Sequence, residues 1–362
     1  MSTETDVVLP AETTAGTEPG PVRTRRRLPR FGAVGLFAAG VLVGALLSSL
    51  TGFTVALTVL YGVVLGALFV YLVSRRVEGR RKATDRLVTT VVTAAFAIAM
   101  VPLVSLVYTV LDNGLDRFDS TFFNSSMLGI VGEGGGAYHA IFGTVIITAL
   151  TTLISVPIGL LAAIYLVEYG TGRLKKAITF LVDVMTGIPS IVAGLFAFAL
   201  FALFFGPGIR LGIMGAVALS VLMIPVVVRS AEEVLKLVPN ELREASYALG
   251  VPKWRTILKI VLPTSIAGLG TGITLAVARV IGETAPLLVT TGFVNGTNLD
   301  PFSGRMTTLP VFSYYQLTQP GFPPEFGIER AWTAALVLII LVMALNVVAR
   351  LISRIFAPKT GR

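Results

Sequence analysis

Eight long apolar stretches constrain this chain more than any other feature of its sequence. A helix needs roughly 20 mostly apolar residues to cross the hydrocarbon core of a bilayer. In lipid, every backbone polar group needs an internal partner, so such stretches must be helical. They lie at about 31–50, 53–73, 87–110, 140–167, 178–205, 211–228, 262–293 and 332–356. The sequence therefore predicts an all-α membrane protein, a polytopic bundle of about eight transmembrane helices.

The composition supports a protein that is solvated by lipid. Hydrophobic residues make up 54% of the 362 residues and charged residues only 14%, too few to cover a water-soluble globule. The net charge of +9 does not indicate nucleic acid, because the basic residues form short runs beside the apolar stretches, such as Arg80-Arg81-Lys82. The chain has no cysteine and one histidine. We therefore expect no catalytic residue, no metal site and no bound cofactor.

The distribution of Lys and Arg predicts the orientation of the chain in the membrane. Loops rich in these residues stay on the cytoplasmic side. The basic segments are the N-terminal tail, 74–86, 170–176, 229–260 and the C-terminus with Arg350, Arg354, Lys359 and Arg362. We expect a multi-pass membrane protein with both termini in the cytoplasm.

Four segments of different character divide the chain. Residues 1–30 are polar and rich in Pro, Thr and Gly, which is typical of a disordered tail. Residues 31–86 contain Gly40, Gly44, Gly62 and Gly66, a spacing that lets two helices pack closely as a hairpin. The predicted division is a cytoplasmic tail 1–30, an N-terminal transmembrane hairpin 31–86, and a core 87–362 with a cytoplasmic loop 230–262 and an outer loop 294–330.

The cytoplasmic loop predicts two short helices joined by a turn. Asn240 is placed to cap the first helix, Glu244 suits its positive end, and Gly250 followed by Pro252 can stop it. One face of this helix is small and apolar enough to lie in a groove on a partner. That face would carry Leu242, Ala245, Ser246 and Leu249.

This loop resembles the EAA loop of ABC importer permeases. The matching residues are Glu244-Ala245-Ser246, then Gly250 after three intervening residues, and then Ile260-Val261-Leu262-Pro263, with Ser246 where the family usually has Ala. The resemblance implies that Glu244, Ala245, Ser246, Gly250, Leu262 and Pro263 couple the chain to an ATPase. No phosphate-binding loop of the Gly-x-x-x-x-Gly-Lys-Ser/Thr type occurs in the sequence. ATP would therefore be used by a separate ATPase chain, and this chain would be a non-catalytic permease subunit.

Two further stretches resemble phosphate-specific permeases of the PstA type. They are Pro189-Ser-Ile-Val-Ala-Gly-Leu195 and Gly282-Glu-Thr-Ala-Pro-Leu287. The resemblance implies a type I ABC importer permease core of six spans, to which this chain adds the N-terminal hairpin, and inorganic phosphate as cargo. It also implies a heterodimer with a PstC-like permease, two copies of an ATP-binding subunit and an external phosphate-binding protein.

Arg279 and Glu283 are the strongest candidates for a transport role. At four residues apart they would meet on one face of a helix, and charges at the bilayer centre usually face a cavity or a partner. A guanidinium suits phosphate oxygens, and Glu283 could hold it between transport steps. A purely structural ion pair is the alternative. The further candidates for the pathway are Thr284 and Ser190, with Arg229 and Asp183 as weaker ones that suit the membrane edge.

The stretch 262–293 is too long for one straight span. As a single helix its roughly 32 residues would extend about 48 Å, against about 30 Å of hydrocarbon. We expect a break or tilt near Gly268, Gly270, Gly272 or Pro286.

Other functions are compatible with parts of this pattern. A permease for sulfate or molybdate would carry the same EAA loop, because this loop does not select the cargo. An ion-coupled secondary transporter would also be polytopic, but it has no need of a docking loop at this spacing.

Overall fold

The chain folds into helices throughout the part that the structure describes. This computed structural model describes residues 28–29, 31–50, 52 and 54–356, so most of the predicted tail 1–30 lies outside the described residues. The helices are α1 Gly32–Leu50, α2 Val55–Val77, α3 Arg80–Gly114, α4 Ser120–Asn124, α5 Tyr138–Ile164, α6 Gly172–Thr186, α7 Ser190–Phe205, α8 Gly212–Lys236, α9 Asn240–Ala248, α10 Lys253–Thr256, α11 Leu262–Val280, α12 Ala285–Thr290, α13 Leu309–Thr318 and α14 Glu325–Phe356. Two π-helical turns, Tyr165–Tyr169 and Ile257–Val261, extend α5 and join α10 to α11.

Seven described helices are long and apolar enough to cross a membrane. The number rises to eight when the bent pair α6 and α7 is counted as one span. The predicted all-α membrane protein of about eight spans is therefore confirmed. By contact clustering the chain divides into two compact units, Met1–Ser105 and Leu106–Arg362, and the division falls within α3.

The predicted span 178–205 is not one continuous helix, because the chain bends sharply in its middle. α6 ends at Thr186, α7 begins at Ser190, and the two helices are bent by 108°. Pro189 has no N–H to continue α6, and a residue that precedes proline avoids helical angles. The Pro189 carbonyl instead accepts the Val192 N–H at 2.9 Å and starts α7.

The predicted span 262–293 is also divided, at one of the expected places. The helix that begins at Lys253 continues through Gly268, Gly270 and Gly272 to Val280, and α12 starts at Ala285 with Pro286 in its first turn. Proline fits the first turn of a new helix but cannot continue an old one. Gly268 and Gly272 instead allow close packing on α8, since a Cβ at either position would come within 2.8 Å of Val234 or Ser230.

Glycines on both helices bring α1 and α2 together backbone to backbone. A Cβ on Gly40 would lie 2.4 Å from the Gly66 Cα, and a Cβ on Gly44 would lie 2.5 Å from the Gly62 nitrogen. Both distances are too short for any side chain. Beyond this contact, the Thr58 hydroxyl donates to the Ser48 hydroxyl at 2.8 Å. The spacing of small residues therefore forms a close helix pair, as the sequence predicts.

In the unit Leu106–Arg362, helix α8 is the centre of the core. Buried side chains from α5, α8, α11, α12 and α13 form its largest apolar cluster, which includes Ile147, Leu219, Met223, Val280 and Leu287. Gly215 of α8 lets Thr291 come close, since a Cβ there would lie 2.4 Å from the Thr291 methyl group. Because lipid is as apolar as these side chains, close fit is what favours their association in a membrane.

The hairpin contact can be tested with a pair of cysteines in this cysteine-free chain. Ser48→Cys with Thr58→Cys should form a disulfide, because the hydroxyls that they replace lie 2.8 Å apart. We expect Gly44→Leu to slow the disulfide by at least about tenfold, because no side chain fits at that contact. Gly35→Leu is the matched control, since a Cβ at Gly35 meets nothing within 4 Å. Loss of thiol labelling measures the bond; equal rates in both variants would contradict the packing.

Candidate coupling surface and translocation site

The segment from α9 to α10 forms the short helical pair that the sequence predicts. Pro239, not the predicted Asn240, occupies the N-cap position, and no side chain caps this end. Gly250 ends α9 in the left-handed conformation, with φ +74°. Its N–H donates to the Tyr247 carbonyl at 2.9 Å, and the Val251 N–H donates to the Ser246 carbonyl at 3.2 Å. These bonds satisfy carbonyls that the helix end leaves free, and glycine adopts this φ at least cost.

Ser246 lies inside the pair and not on its outer face. It is buried, and its hydroxyl lies 2.8 Å from the buried hydroxyl of Thr256 on α10. The expectation that Ser246 shares an outward face with Leu242, Ala245 and Leu249 is therefore wrong. Those three side chains are exposed, as is that of Glu244, so the free face of α9 is apolar with an acidic edge. Serine at this position gives the two helices a hydrogen bond that alanine could not make.

Arg243 fixes α9 to the ends of α5 and α8. Its Nη2 donates to Glu168 Oε1 at 2.8 Å and to the Leu235 carbonyl at 3.0 Å, and its Nη1 donates to the Val238 carbonyl at 2.6 Å. The two side chains of the ion pair are only 12% and 5% exposed. Breaking such a buried pair costs roughly 3–5 kcal/mol. The guanidinium thus holds α9 rigidly against both helices.

The Leu262-Pro263 step connects the same segment to α11. Pro263 cannot donate to the carbonyl four residues back, and the Leu262 N–H bonds to the Ile257 carbonyl, one residue further than in an α-helix. Val261 is buried and Leu262 packs beside it in an apolar cluster with Leu235 and Val238 of the α8 end. A movement of α10 would therefore be passed to α11 through a continuous, well-packed helix.

The two stretches that resemble phosphate permeases meet in space. Gly194 of α7 faces Pro286 of α12 so closely that a Cβ on Gly194 would lie 2.6 Å from the Pro286 Cα. Ser190 is half-buried at the start of α7. Thr284 precedes α12 and lines an open cavity of about 470 Å³ together with Ser313 and Tyr314. The sequence predicted these stretches separately, and their contact depends on the tertiary fold.

Arg279 and Glu283 do not share a helix face. Arg279 is exposed in the last turn of α11, whereas Glu283 is half-buried in the non-helical connection, where its N–H donates to the Val280 carbonyl at 3.0 Å. No ion pair joins the two side chains in the described part of the chain. The spacing argument fails because α11 ends at Val280, between them.

Arg229 and Asp183 form an ion pair between α8 and α6. Arg229 also pairs with Glu232 at 2.9 Å, and Glu232 pairs with Lys236 at 2.7 Å. The expected position at a membrane edge thus includes a contact that the sequence did not predict. The chain of charges ties the end of α8 to α6, on the α6 side of the 108° bend.

The family model described as "Binding-protein-dependent transport system inner membrane component" matches residues 155–362. Phosphate transport system permease protein PstA 1 of Mycobacterium tuberculosis (strain CDC 1551 / Oshkosh) is 46% identical over 276 residues, which cover 75% of this chain and 90% of that protein. The chain belongs to the PstA permease family. The predicted resemblance to phosphate-specific permeases of the PstA type is therefore confirmed.

Other PstA proteins are also similar to this chain. PstA of Mycobacterium leprae (strain TN) is 45% identical over 279 residues, covering 76% of this chain and 90% of that protein. PstA of Pasteurella multocida (strain Pm70) is 38% identical over 285 residues, covering 78% of this chain and 97% of that protein.

Solved structures show the same fold at low identity. A bacterial alginate ABC transporter, in complex with a periplasmic protein that holds an alginate pentasaccharide, gives a TM-score of 0.55 at 14% identity, covering 77% of this chain and 97% of that chain. Another structure of a bacterial alginate ABC transporter gives 0.54 at 13% identity, covering 75% and 96%. The likeness confirms the fold predicted for this PstA family member, that of a type I ABC importer permease.

The anchor made by Arg243 can be tested by amide hydrogen exchange. We expect Arg243→Ala to raise the exchange rates of α9 amides at least about tenfold, because the buried Glu168 carboxylate and two carbonyls lose their donor. Lys259→Ala is the control, since it removes an exposed cation from the neighbouring π-helical turn. Unchanged protection of α9 in Arg243→Ala would show that other contacts hold the helix.

Proposed function

We propose that this chain is the permease subunit of an ATP-driven importer that carries inorganic phosphate across the bacterial cytoplasmic membrane by alternating access. The observation that carries the proposal is its 46% identity with a PstA phosphate permease over 276 residues. The folded and anchored α9–α10 pair, with its free apolar face, supports an importer that is moved by a separate subunit. Sulfate and molybdate are the competing cargoes, and the uptake experiment below separates them from phosphate.

We assign α9 and α10 as the docking element for the ATPase. The exposed Leu242, Ala245 and Leu249 would enter an apolar groove, and Glu244 would lie at its edge. Closure of two ATPase copies would push α9, and the Arg243 contacts with Glu168, Leu235 and Val238 would pass this push to α5 and α8. The continuous helix through Leu262 and Pro263 would pass it to α11.

We propose that two further proteins complete the importer. A PstC-like permease would complete a heterodimer, and an external phosphate-binding protein would deliver the anion. By the positive-inside rule we expect the basic segment 229–260, which contains α9, and both termini to face the cytoplasm. This chain would bind lipid and contact phosphate in transit, and ATP would be hydrolysed only by the partner subunits.

Arg279 is the residue that we assign to the phosphate path. It is exposed in this chain and forms no ion pair with any described residue, so its guanidinium is available to an anion or to the companion permease. Glu283 lies in the non-helical connection to α12 and does not pair with Arg279 in this structure, and we propose that it reaches Arg279 in another transport state. Thr284 and Ser190 lie on the two stretches that meet around Gly194 and Pro286. Glu283 would then compete with phosphate for the same cation.

Uptake of radiolabelled phosphate into vesicles that contain the assembled complex tests this function. We expect uptake that requires ATP and resists excess sulfate. Gly250→Pro should abolish it, because proline cannot adopt φ +74° and removes the N–H that bonds to the Tyr247 carbonyl. Gly250→Asn is the matched control and should retain most activity, because asparagine tolerates this conformation. Sulfate uptake, or phosphate uptake without the ATPase, would refute the proposal.

Substitutions of Arg279 and Glu283, the charged residues at the break between α11 and α12, test the proposed phosphate path. We expect Arg279→Gln to lower phosphate uptake at least about tenfold, with assembly and ATPase binding unchanged. We expect Glu283→Gln to change uptake less and to increase the amount of phosphate that stays bound to the permease. Lys176→Gln is the control, since it removes an exposed cation far along the sequence in α6. Normal uptake rate and affinity in both variants would show that the two residues have only a structural role.

A further inference from the structure

A polar pocket lies at the end of the bundle opposite to α9. The helix α5 connects the two ends, since Thr144 near its start accepts the Leu309 N–H of α13 at 2.8 Å, and Glu168 beyond its end holds Arg243. The pocket has a volume of about 300 Å³. Polar groups in its wall come from Asn295, Gln316, Gln319 and Arg330. The exposed Val131 and Phe322 form part of its rim, so it is open to solvent.

Arg330 is a buried cation in the wall of this pocket. It lies in the second turn of α14 and is only 2% exposed. Its Nε donates to Gln316 Oε1 at 3.0 Å, and its Nη1 donates to the carbonyls of Gly132 at 2.8 Å and Gly134 at 3.1 Å. All these acceptors are neutral. Among the residues that the structure describes, no carboxylate forms an ion pair with Arg330.

A second guanidinium binds the same glycine-rich loop. Arg117 Nη2 donates to the Gly135 carbonyl at 3.1 Å, next to the carbonyls that Arg330 holds. Its Nε lies 3.4 Å from Asp119, whose side chain is 46% exposed. The other nearby acids, the exposed Glu133 and the half-buried Glu329, form no ion pair with either arginine in the described part of the chain. Two cations thus converge on one loop, where Asp119 is the carboxylate paired with Arg117 and Glu329 is the acid whose charge acts on Arg330 without an ion-pair contact.

Burial of the Arg330 guanidinium without a carboxylate in contact favours an anion from solution. Removing a cation from water is costly unless an opposite charge comes with it. Carbonyls satisfy hydrogen-bond donors but leave the net charge in place. A guanidinium offers planar paired donors that match the oxygens of phosphate. At about 300 Å³ the pocket holds a tetrahedral oxyanion with several of its waters.

We propose that this pocket is a binding site for a tetrahedral oxyanion, with Arg330 as its principal donor and Gln319 and Asn295 as polar groups of its wall. The choice of inorganic phosphate as the oxyanion rests on the proposed function, whereas the oxyanion chemistry rests on the buried guanidinium of Arg330 in the pocket wall. Such a site holds the anion at the end of the bundle remote from the coupling surface. It is distinct from the path assigned to Arg279.

Equilibrium binding of radiolabelled phosphate to the full-length chain in lipid nanodiscs tests this site. All variants carry Arg279→Gln, so that the proposed transport path does not contribute. Val131→Glu places a carboxylate at the rim, where it competes as the counter-charge of Arg330, and we expect it to weaken phosphate binding at least about tenfold. Val131→Gln is the matched neutral control and should change binding less than about twofold. Val131 is 89% exposed, so neither substitution disturbs the core.

Arg330→Lys provides an independent measurement. Lysine keeps the charge but loses the planar fork of the guanidinium. We therefore expect the pocket to bind phosphate more weakly and to discriminate less well between phosphate and chloride. Absence of phosphate binding in the Arg279→Gln background, or equal binding in Val131→Glu and Val131→Gln, would overturn the site. Binding that appears only when a periplasmic protein is added would also overturn it, because the arginines would then serve a protein contact.

The outcomes separate this inference from the proposed function. A complex that imports phosphate although the pocket binds none would refute the oxyanion site and leave the proposed function intact. A pocket that binds phosphate and sulfate in an Arg330-dependent manner, in a complex that imports no phosphate, would refute the function and support the oxyanion site.

Discussion

The buried contact between Arg243 and Glu168 is the connection on which the arrangement of the coupling surface depends. One guanidinium binds a carboxylate at the end of α5 and two carbonyls at the end of α8. Because the pair is almost fully excluded from solvent, α9 cannot move away without leaving a charge unpaired. The hydrogen bond from Ser246 to Thr256 adds α10, and the helix through Pro263 adds α11. A displacement of α9 is therefore shared by three long helices.

The meeting of α7 and α12 places the two stretches that resemble phosphate permeases in one region. Gly194 and Pro286 are about ninety residues apart, yet their backbones touch. Each belongs to a stretch at a helix break: Pro189 directly precedes α7, and Gly282, Glu283 and Thr284 separate α11 from α12, whose first turn holds Pro286. Both breaks come from the same cause, since proline starts a helix well and continues it badly. Ser190 and Thr284 are thereby placed at helix starts, where hydroxyl groups and free N–H groups are available together.

Properties that depend on neighbours along the chain were predictable from the sequence. The apolar stretches gave the helical class, and Gly250 gave the end of α9, because length and φ preference are local. The bend within the predicted span 178–205 was missed, because its continuous apolar character hid the effect of Pro189. The pairing of Arg279 with Glu283 was wrong because the helix ended first. The partners of Arg243, Ser246 and Arg330 could not be predicted, since each contact joins residues far apart or on separate helices and depends on tertiary packing.

The sharp bend between α6 and α7 has a consequence for the chain in its membrane. At 15 and 16 residues, these helices extend only about 22 and 24 Å, so neither crosses a hydrocarbon core of about 30 Å alone. The vertex at 187–189 therefore carries non-helical backbone, and Gly187 and Pro189 are exposed in this chain. Hydrocarbon offers no hydrogen bonds to such backbone, which is tolerated at membrane depth only against protein or water. At membrane depth, this vertex requires a protein surface or an aqueous passage against it.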